Sequence, residues 1–194
     1  TDINTLVIPE SVDSFGSDTI ENPDEILWMD DIKAILSGEK EGQVADNRGE
    51  DEWNGEYSGY SYHDLAGHLD GAVWCLQGDE ENGTYFYNVD NTPRTQTELK
   101  DYMESNGVDT SKTVAFYCGD SWGAAMIAYW CQSVDLNNIK EWGNGWIPWS
   151  NEGNEFIDHN GKKVHYDKYR DAVLDEDGND VSDGTNILAD EKKE

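Results

Sequence analysis

One short apolar run constrains the fold of this chain more than any other feature. Residues 113–118, TVAFYC, are all β-prone or apolar, and such a run without alternation is typical of a central strand that is covered on both faces. The next segments, GAAMIAYWCQSV (123–134) and NNIKEW (137–142), predict a buried helix and a further strand. A strand, a helix and a strand in this order form a βαβ unit. We therefore predict an α/β fold whose parallel, or mostly parallel, central sheet is flanked by helices.

The remaining regular elements are predicted from local signals. ILWMDDIKAILSG (26–38) alternates briefly and then predicts a helix that ends at Gly38. TQTELKDYMESNGV (95–108) predicts a helix that Thr95 or Thr97 can cap and that ends at Gly107, with Glu98 three residues after Thr95 as in a capping box. Short strands are expected in TLVIPESV (5–12), QVADNR (43–48) and GAVW (71–74). EFIDHNGKKVHY (155–166) predicts a β-hairpin, in which Asn-Gly is the usual signal for a type I′ turn.

Composition changes along the chain divide it into three parts. We expect an arm or linker in residues 1–25, one domain in 26–150, and a hairpin with an acidic tail in 151–194. The tail segment DEDGNDVSD partly matches a calcium-binding loop. However, Asp180 and Asn186 stand where such a loop has Gly and Glu. An acidic turn without a metal is the prediction.

The charge balance excludes several partners. Lys and Arg total 13 against 42 Asp and Glu, a formal net charge of -29, and such a surface repels nucleic acid and anionic membranes.

No apolar run is long enough to span a membrane. Because the chain begins at Thr1 rather than Met, we expect a trimmed chain from which a targeting segment has been removed.

The three cysteines, at positions 75, 118 and 131, are an odd number without metal-ligand spacing. They fit neither a disulfide framework nor a zinc site, so at least one thiol should be free.

Cys118 is the candidate for chemistry. A turn between a parallel strand and a helix lies at the carboxyl edge of the sheet, where α/β proteins place their sites. Its amides and the positive end of the helix dipole attract an anion, which favours a reactive thiolate. Gly119 and Gly123 would allow the backbone to curl there. The alternative is a buried structural thiol at the end of a strand.

Four segments in order resemble the rhodanese family of sulfurtransferases, and most closely the catalytic domain of the tandem-domain thiosulfate sulfurtransferases. The resemblance covers about residues 26–150 and lies in VADNRGEDEW (44–53), GYSYHDLAGHLDGAVW (59–74), TVAFYCGDSWGAA (113–125) and NNIKEWGNGWIPW (137–149). It implies a rhodanese-like fold, and it implies that a second rhodanese domain can precede this one in a longer protein.

The resemblance also implies a reaction. Cys118 would take the outer sulfur of a sulfane donor, become a persulfide, and pass that sulfur to a thiol or cyanide acceptor. The substrate-binding groups would be the loop residues Gly119, Asp120, Ser121, Trp122, Gly123 and Ala124, and Arg48, which would face the site and hold an anionic donor. No metal or organic cofactor is implied.

Two loop positions depart from the family pattern. Gly123 stands where relatives that use thiosulfate commonly carry Arg, and Asp120 adds a negative charge. Both changes disfavour a dianionic donor, so a neutral, protein-bound or persulfide donor fits better and Gly123→Arg should favour thiosulfate. Related phosphatases need Arg where this chain has Ala124, which argues against phosphate chemistry.

Alternatives remain for other residues and for the function. Cys75 is either buried or near the mouth of the site, where it would resolve the persulfide; Cys131 is expected in the core. His68 should support its turn, and Arg94 is a surface residue or a second donor contact. The chain could instead be a non-catalytic rhodanese-like binding module or a thiol redox sensor. The acidic composition and the kinship with exported tandem forms favour a location outside the cytoplasm.

Overall fold

The computed structural model describes residue 19 and residues 22–79 and 83–182. A short 3-10 turn at Pro23–Glu25 comes first. The helices that follow are α1 (Met29–Leu36), α2 (Glu50–Trp53), α3 (Gln96–Ser105), α4 (Trp122–Gln132) and α5 (Trp146–Asn151). The strands are β1 (Ile26–Leu27), β2 (Gln43–Asp46), β3 (Val73–Trp74), β4 (Gly78–Asp79), β5 (Gly83–Thr84), β6 (Val114–Tyr117), β7 (Ile139–Trp142), β8 (Phe156–Ile157), β9 (Lys163–Asp167) and β10 (Ala172–Asp175). The strand predicted in residues 5–12 lies outside the described residues.

The predicted parallel sheet is confirmed. Its five strands have the order β1-β7-β6-β2-β3 and every neighbouring pair is parallel. The apolar run supplies β6, the middle strand, and all four of its residues are buried. Ala115 and Tyr117 pack into one hydrophobic cluster, while Val114 and Phe116 pack into another. Because side chains alternate across a strand, this division shows that both faces of the sheet are covered.

Helices cover the two faces in pairs. Helices α1 and α5 contribute to the cluster that contains Tyr117, whereas α3 and α4 contribute to the cluster that contains Phe116. The predicted capping box of α3 is present: the Glu98 amide donates to Thr95 Oγ1, and the Thr95 amide donates to Glu98 Oε2 at 2.8 Å. Local sequence signals therefore determine where α3 begins.

The C-terminal strands form a separate antiparallel sheet of β8, β9 and β10. The hairpin prediction is confirmed, but the type I′ turn is wrong: Gly161 has a φ of +71°, whereas Asn160 is not among the residues with positive φ. The Asp158 carboxylate accepts from the amides of Asn160 and Lys162 and so organises a longer loop. Buried side chains of this sheet pack into the same cluster as Tyr117; they are Phe156, Val164 and Val173.

The sequence did not predict α2 or α5. Pro148 lies inside α5, and it is tolerated there because the first turn of a helix needs no intrahelical donor from it. No helix in the described ranges is long and apolar enough to cross a membrane.

Candidate active site

Cys118 lies where the central strand ends. It follows directly after β6, and α4 begins four residues later at Trp122. The cysteine residue is 8% exposed. The thiol is therefore at the carboxyl edge of the sheet, close to the surface but largely shielded.

Helix α5 sets the orientation of the cysteine loop. The Trp146 amide donates to the Cys118 carbonyl at 2.9 Å, and the Ile147 amide donates to the Gly119 carbonyl at 3.0 Å. Gly145, with a φ of +80°, permits this approach, since a Cβ atom there would lie 2.7 Å from the Gly119 oxygen. Two loop carbonyls are thus turned towards α5.

The loop amides that follow are free. Among the described residues, no acceptor is found for the backbone amides of residues 120–124, and these amides lie at the N-terminus of the 11-residue helix α4. Ser121 has a φ of +77°, an uncommon conformation for a residue other than glycine, and its hydroxyl donates to the Trp142 carbonyl. The loop is therefore a fixed cradle of donors suited to an anion.

Tyr60 covers the first residue of this loop. The Gly119 amide donates to Tyr60 Oη at 3.0 Å. A Cβ atom at Gly119 would collide with the ring and hydroxyl of Tyr60. Glycine at this position is required by the close approach of a tyrosine from a distant part of the chain.

Arg48 is buried rather than open to the site. Its Nε and Nη2 donate to the Asp46 carboxylate at 3.0 and 2.6 Å, and Nη2 also donates to the Gly67 carbonyl at 2.7 Å. The guanidinium lies 4.8 Å from the centre of the Trp146 ring. Burial alone would lower the pKa of Arg48, but the charge of Asp46 and its hydrogen bonds raise it above its usual value. The sequence analysis expected Arg48 to contact the sulfur donor directly. Only its Nη1, which has no partner among the described residues, could still make that contact.

Gly123, where the sequence resemblance led us to expect Arg in a thiosulfate-using protein, is enclosed by amides. A Cβ atom at Gly123 would collide with Gln77 Oε1 and would lie 2.7 Å from Asn47 Nδ2. These two amides bond to each other, with Asn47 Nδ2 donating to Gln77 Oε1 at 2.7 Å. A neutral pair therefore occupies the space in which a cationic side chain would begin.

The outer rim of the loop is acidic and aromatic. Asp120 and Trp122 line an open hollow of about 360 Å³ together with Glu141, Ser121, Ala125 and Gly143. Trp122 is 84% exposed, and burial raises the pKa of Glu141. Of the residues that the structure describes, those that line this hollow include no cationic side chain.

His68 supports its turn, as predicted. Its ring stacks on Trp53 with 3.7 Å between ring centres, and its Nδ1 lies 2.7 Å from the Trp53 carbonyl. Burial lowers the pKa of His68, which favours the neutral ring. These contacts fix the His68 ring against Trp53.

Cys75 is not at the mouth of the site. It is fully buried in the same cluster as Cys131, and burial, together with the nearby Cys131, raises its pKa. Burial likewise raises the pKa of Cys131 to about 12, consistent with the predicted core position.

Arg94 is half-buried and donates to the Thr84 carbonyl at 3.2 Å, so it is neither a plain surface residue nor a residue of the loop.

Sequence reasoning missed three residues around the loop: Tyr60, Asn47 as a side chain that encloses Gly123, and Gln77. Their contacts join segments far apart in sequence, so no local sequence pattern predicts that these residues surround the loop. The one available signal is the pair of glycines at 119 and 123, because a glycine without positive φ often marks a close approach.

Comparisons with known proteins agree with this geometry. Residues 29–152 match the family model for the rhodanese-like domain, and the chain belongs to the rhodanese family. A search of curated protein sequences found no significant match.

The solved structures that resemble the chain include those of EanB. EanB in complex with ergothioneine is 27% identical and has a TM-score of 0.65 over 75% of this chain and 34% of the other. An EanB variant with a cysteine persulfide, in a tetrahedral intermediate state with ergothioneine, is 26% identical over the same shares, with a TM-score of 0.66. The anaerobic ergothioneine biosynthesis enzyme from Chlorobium limicola, in complex with trimethyl histidine, is 28% identical over 68% and 31%, with a TM-score of 0.60.

The chain spans about one third of the length of these neighbours. The family and the neighbours together support sulfur-transfer chemistry through a cysteine persulfide. The closeness to tandem thiosulfate sulfurtransferases that the sequence suggested is not among these findings.

Proposed function

We propose that this chain is a sulfurtransferase that carries sulfur as a persulfide on Cys118. The observation that carries the proposal is the position of that thiol beside five consecutive amides, residues 120–124, that have no acceptor among the described residues. Donors fixed in this way stabilise negative charge without rearranging during the reaction. A persulfide is an anion, so it is the species that such a cradle would hold.

The reaction has two displacements. The Cys118 thiolate attacks the outer sulfur of a sulfane donor, and the remainder of the donor leaves with the electron pair of the broken bond. The acceptor then attacks the outer sulfur of the persulfide and regenerates the Cys118 thiolate. Dividing one transfer into two steps is the general advantage of covalent catalysis.

The charges around the loop favour a persulfide donor over thiosulfate. Arg48 is paired with Asp46 inside the core, the space at Gly123 is filled by neutral amides, and Asp120 is exposed at the rim. Within the described part of the chain, a dianion at the loop would meet a carboxylate without an accessible counter-charge. Thiosulfate is therefore the poorer of the two donor classes, and Arg48 acts chiefly by holding Asp46 and Gly67 in place.

The acidic and aromatic rim supports a second class of acceptor. A carboxylate beside an exposed indole is a suitable environment for a quaternary ammonium group, and Asp120, Trp122 and Glu141 provide one. Because neighbouring structures hold trimethyl histidine or ergothioneine, we propose trimethyl histidine as an acceptor to be tested beside thiols and cyanide. Formation of ergothioneine from persulfide-loaded protein, followed by mass spectrometry, is the measurement.

Loading with sulfur tests the main proposal. The protein is incubated with thiosulfate, with glutathione persulfide and with polysulfide, and its intact mass is measured. One added sulfur, roughly 32 Da, is expected, and it should be absent in Cys118→Ser but present in the control Cys131→Ala. If no donor loads the wild type, the proposed activity is wrong and a non-catalytic binding module is the better description.

The redox-sensor alternative has a distinct outcome. A sensor that pairs Cys118 with Cys75 would form an intramolecular disulfide on mild oxidation, in which the oxidant removes two hydrogen atoms (two protons and two electrons) and no sulfur is added. The burial of Cys75 beside Cys131 opposes that pairing. Peptide mapping after treatment with a disulfide oxidant distinguishes the two.

A further inference from the structure

We propose that the Tyr60 hydroxyl is a catalytic hydrogen-bond donor to the sulfur of Cys118, a role that rests on the proposed persulfide chemistry. Tyr60 comes from the loop between α2 and β3, 58 positions before the cysteine. Its hydroxyl oxygen accepts from the amide of the residue directly after Cys118. This bond places the phenol oxygen 3.0 Å from the backbone nitrogen that follows Cys118 in the chain.

The phenolic proton is available for this role. The Tyr60 oxygen accepts from Gly119, and no acceptor for its own O–H is found among the described residues. A hydroxyl that accepts from one group can donate to another at the same time. While the Gly119 amide donates to Tyr60, it cannot also donate to a sulfur bound at the loop. It instead polarises the Tyr60 hydroxyl, which would donate to that sulfur.

The Tyr60 backbone is held by its own loop. Ser58 Oγ donates to the Tyr60 carbonyl at 3.1 Å and accepts from the Tyr60 amide at 3.3 Å. Tyr60 also forms an antiparallel bridge with His63, and His63 Nε2 lies 3.0 Å from Ser150 Oγ on α5. The same helix that binds the loop carbonyls of Cys118 and Gly119 therefore anchors the tyrosine, so the phenol and the thiol share one rigid support.

Tyr60 can act as a donor because it stays protonated. Burial, and next the negative charge of ionised Cys118 and of Glu52, raise the pKa of Tyr60, with only partial opposition from Arg48 and the Gly119 amide. At neutral pH the phenol therefore carries its proton and cannot serve as a general base. It is a neutral donor placed beside a group that becomes an anion.

The hydroxyl would contribute most when sulfur leaves. The acceptor's lone pair forms a bond to the outer sulfur of the persulfide, the bond between that sulfur and Cys118 Sγ breaks, and its electron pair goes to Sγ. The departing Cys118 thiolate gains charge in this step, and the Tyr60 O–H stabilises it by a charge-assisted hydrogen bond. No proton is transferred and no further oxidant or reductant is needed.

Tyr60→Phe tests this role, because it keeps the ring and removes only the hydroxyl. Tyr62→Phe is the matched control, since Tyr62 is an adjacent tyrosine that is 69% exposed. We expect Tyr60→Phe to load sulfur from polysulfide, as seen by intact mass, but to discharge it to dithiothreitol about 10- to 100-fold more slowly in single turnover. The midpoint pH for iodoacetamide alkylation of the unloaded protein should rise by about half a unit or more, because the thiolate has lost a donor.

Each outcome separates this inference from the proposed function. If Tyr60→Phe discharges sulfur at the wild-type rate and its alkylation profile is unchanged, the role of the hydroxyl is refuted, even if the variant is less stable. If the wild type takes up no sulfur at all, the proposed function is wrong, and the alkylation profile still shows whether the hydroxyl reaches the thiol. A Tyr62→Phe variant as slow as Tyr60→Phe would also refute the assignment.

Discussion

Gln77 and Gly123 compete for one small space beside the cysteine loop: the amide oxygen of Gln77 lies where a Cβ atom at position 123 would be placed. Gln77 is held there by the amide of Asn47. A cationic side chain at position 123, which the sequence resemblance connected with thiosulfate use, is therefore opposed by sterics as well as absent from the sequence. Restoring it requires two changes.

We expect Gly123→Arg alone to give little gain with thiosulfate, because the new side chain must displace Gln77. Gly123→Arg combined with Gln77→Ala should raise kcat/KM for thiosulfate by about tenfold, as one charge-assisted hydrogen bond to the anion would. The gain should shrink as salt is added. The measurement is initial rate with thiosulfate and cyanide at low and high ionic strength.

The control is Gly123→Gln with Gln77→Ala, which restores the length of the side chain without its charge. An equal gain in this variant would show that space, and not charge, limits the donor.

The second prediction concerns the close approach of Tyr60 to Gly119. Gly119→Ala should lower the free energy of unfolding by about 1–3 kcal/mol, because overpacking forces the ring or the loop to move. The backbone at Gly119 does not have positive φ, so this cost is steric. In a Tyr60→Ala background the same change should cost much less, and urea unfolding of the four proteins gives the coupling energy. Additive effects would mean that the two residues do not compete for space.

What the sequence could predict depended on whether the signal was local. The capping box at Thr95, the apolar run of β6 and the Asn160-Gly161 hairpin depend on neighbouring residues, and each element is present. The turn type at Asn160 was wrong because the Asp158 side chain binds the loop amides and favours a longer loop. A side chain in competition with the backbone is not visible in the Asn-Gly pair alone.

The sequence predicted the reacting cysteine and its loop, but not the arrangement of the residues packed around them. The strand, turn and helix pattern located Cys118 and the loop amides. The burial of Arg48 could not be anticipated, since its partners include the Gly67 carbonyl 19 positions away and the Trp146 ring. Helix α5 was not predicted: it is only six residues long and contains Pro148, although proline is compatible with a first helical turn.

The third prediction concerns the buried ion pair. Arg48→Met should lower the free energy of unfolding by about 3–5 kcal/mol, because it leaves the Asp46 carboxylate, which is fully buried, without its counter-charge. Arg170→Met is the control: Arg170 pairs with Asp167 at the surface, and its loss should cost less than about 1 kcal/mol. Urea unfolding measures both.

Kinetics then separate structure from donor binding at Arg48. Arg48→Lys keeps a charge but loses the paired geometry with Asp46. If Arg48 serves the fold, the variant is less stable and its KM for an anionic donor is unchanged. A large rise in KM with normal stability would instead support direct donor contact through Nη1.

The last prediction concerns the response of stability to acid. Burial lowers the pKa of His63 to about 4, although the nearby Asp64 opposes the shift. Between about pH 6.5 and about pH 4 the unfolded chain binds a proton at this histidine that the folded chain does not bind, so the free energy of unfolding falls as the pH falls. The loss from this residue should reach about 3 kcal/mol at most near pH 4, and it should be absent above the unfolded pKa. His63→Gln should remove this part of the pH dependence, and urea unfolding at about pH 7 and about pH 4.5 measures it. A His63→Gln variant with the same slope as the wild type would show that this buried ring does not set the acid response.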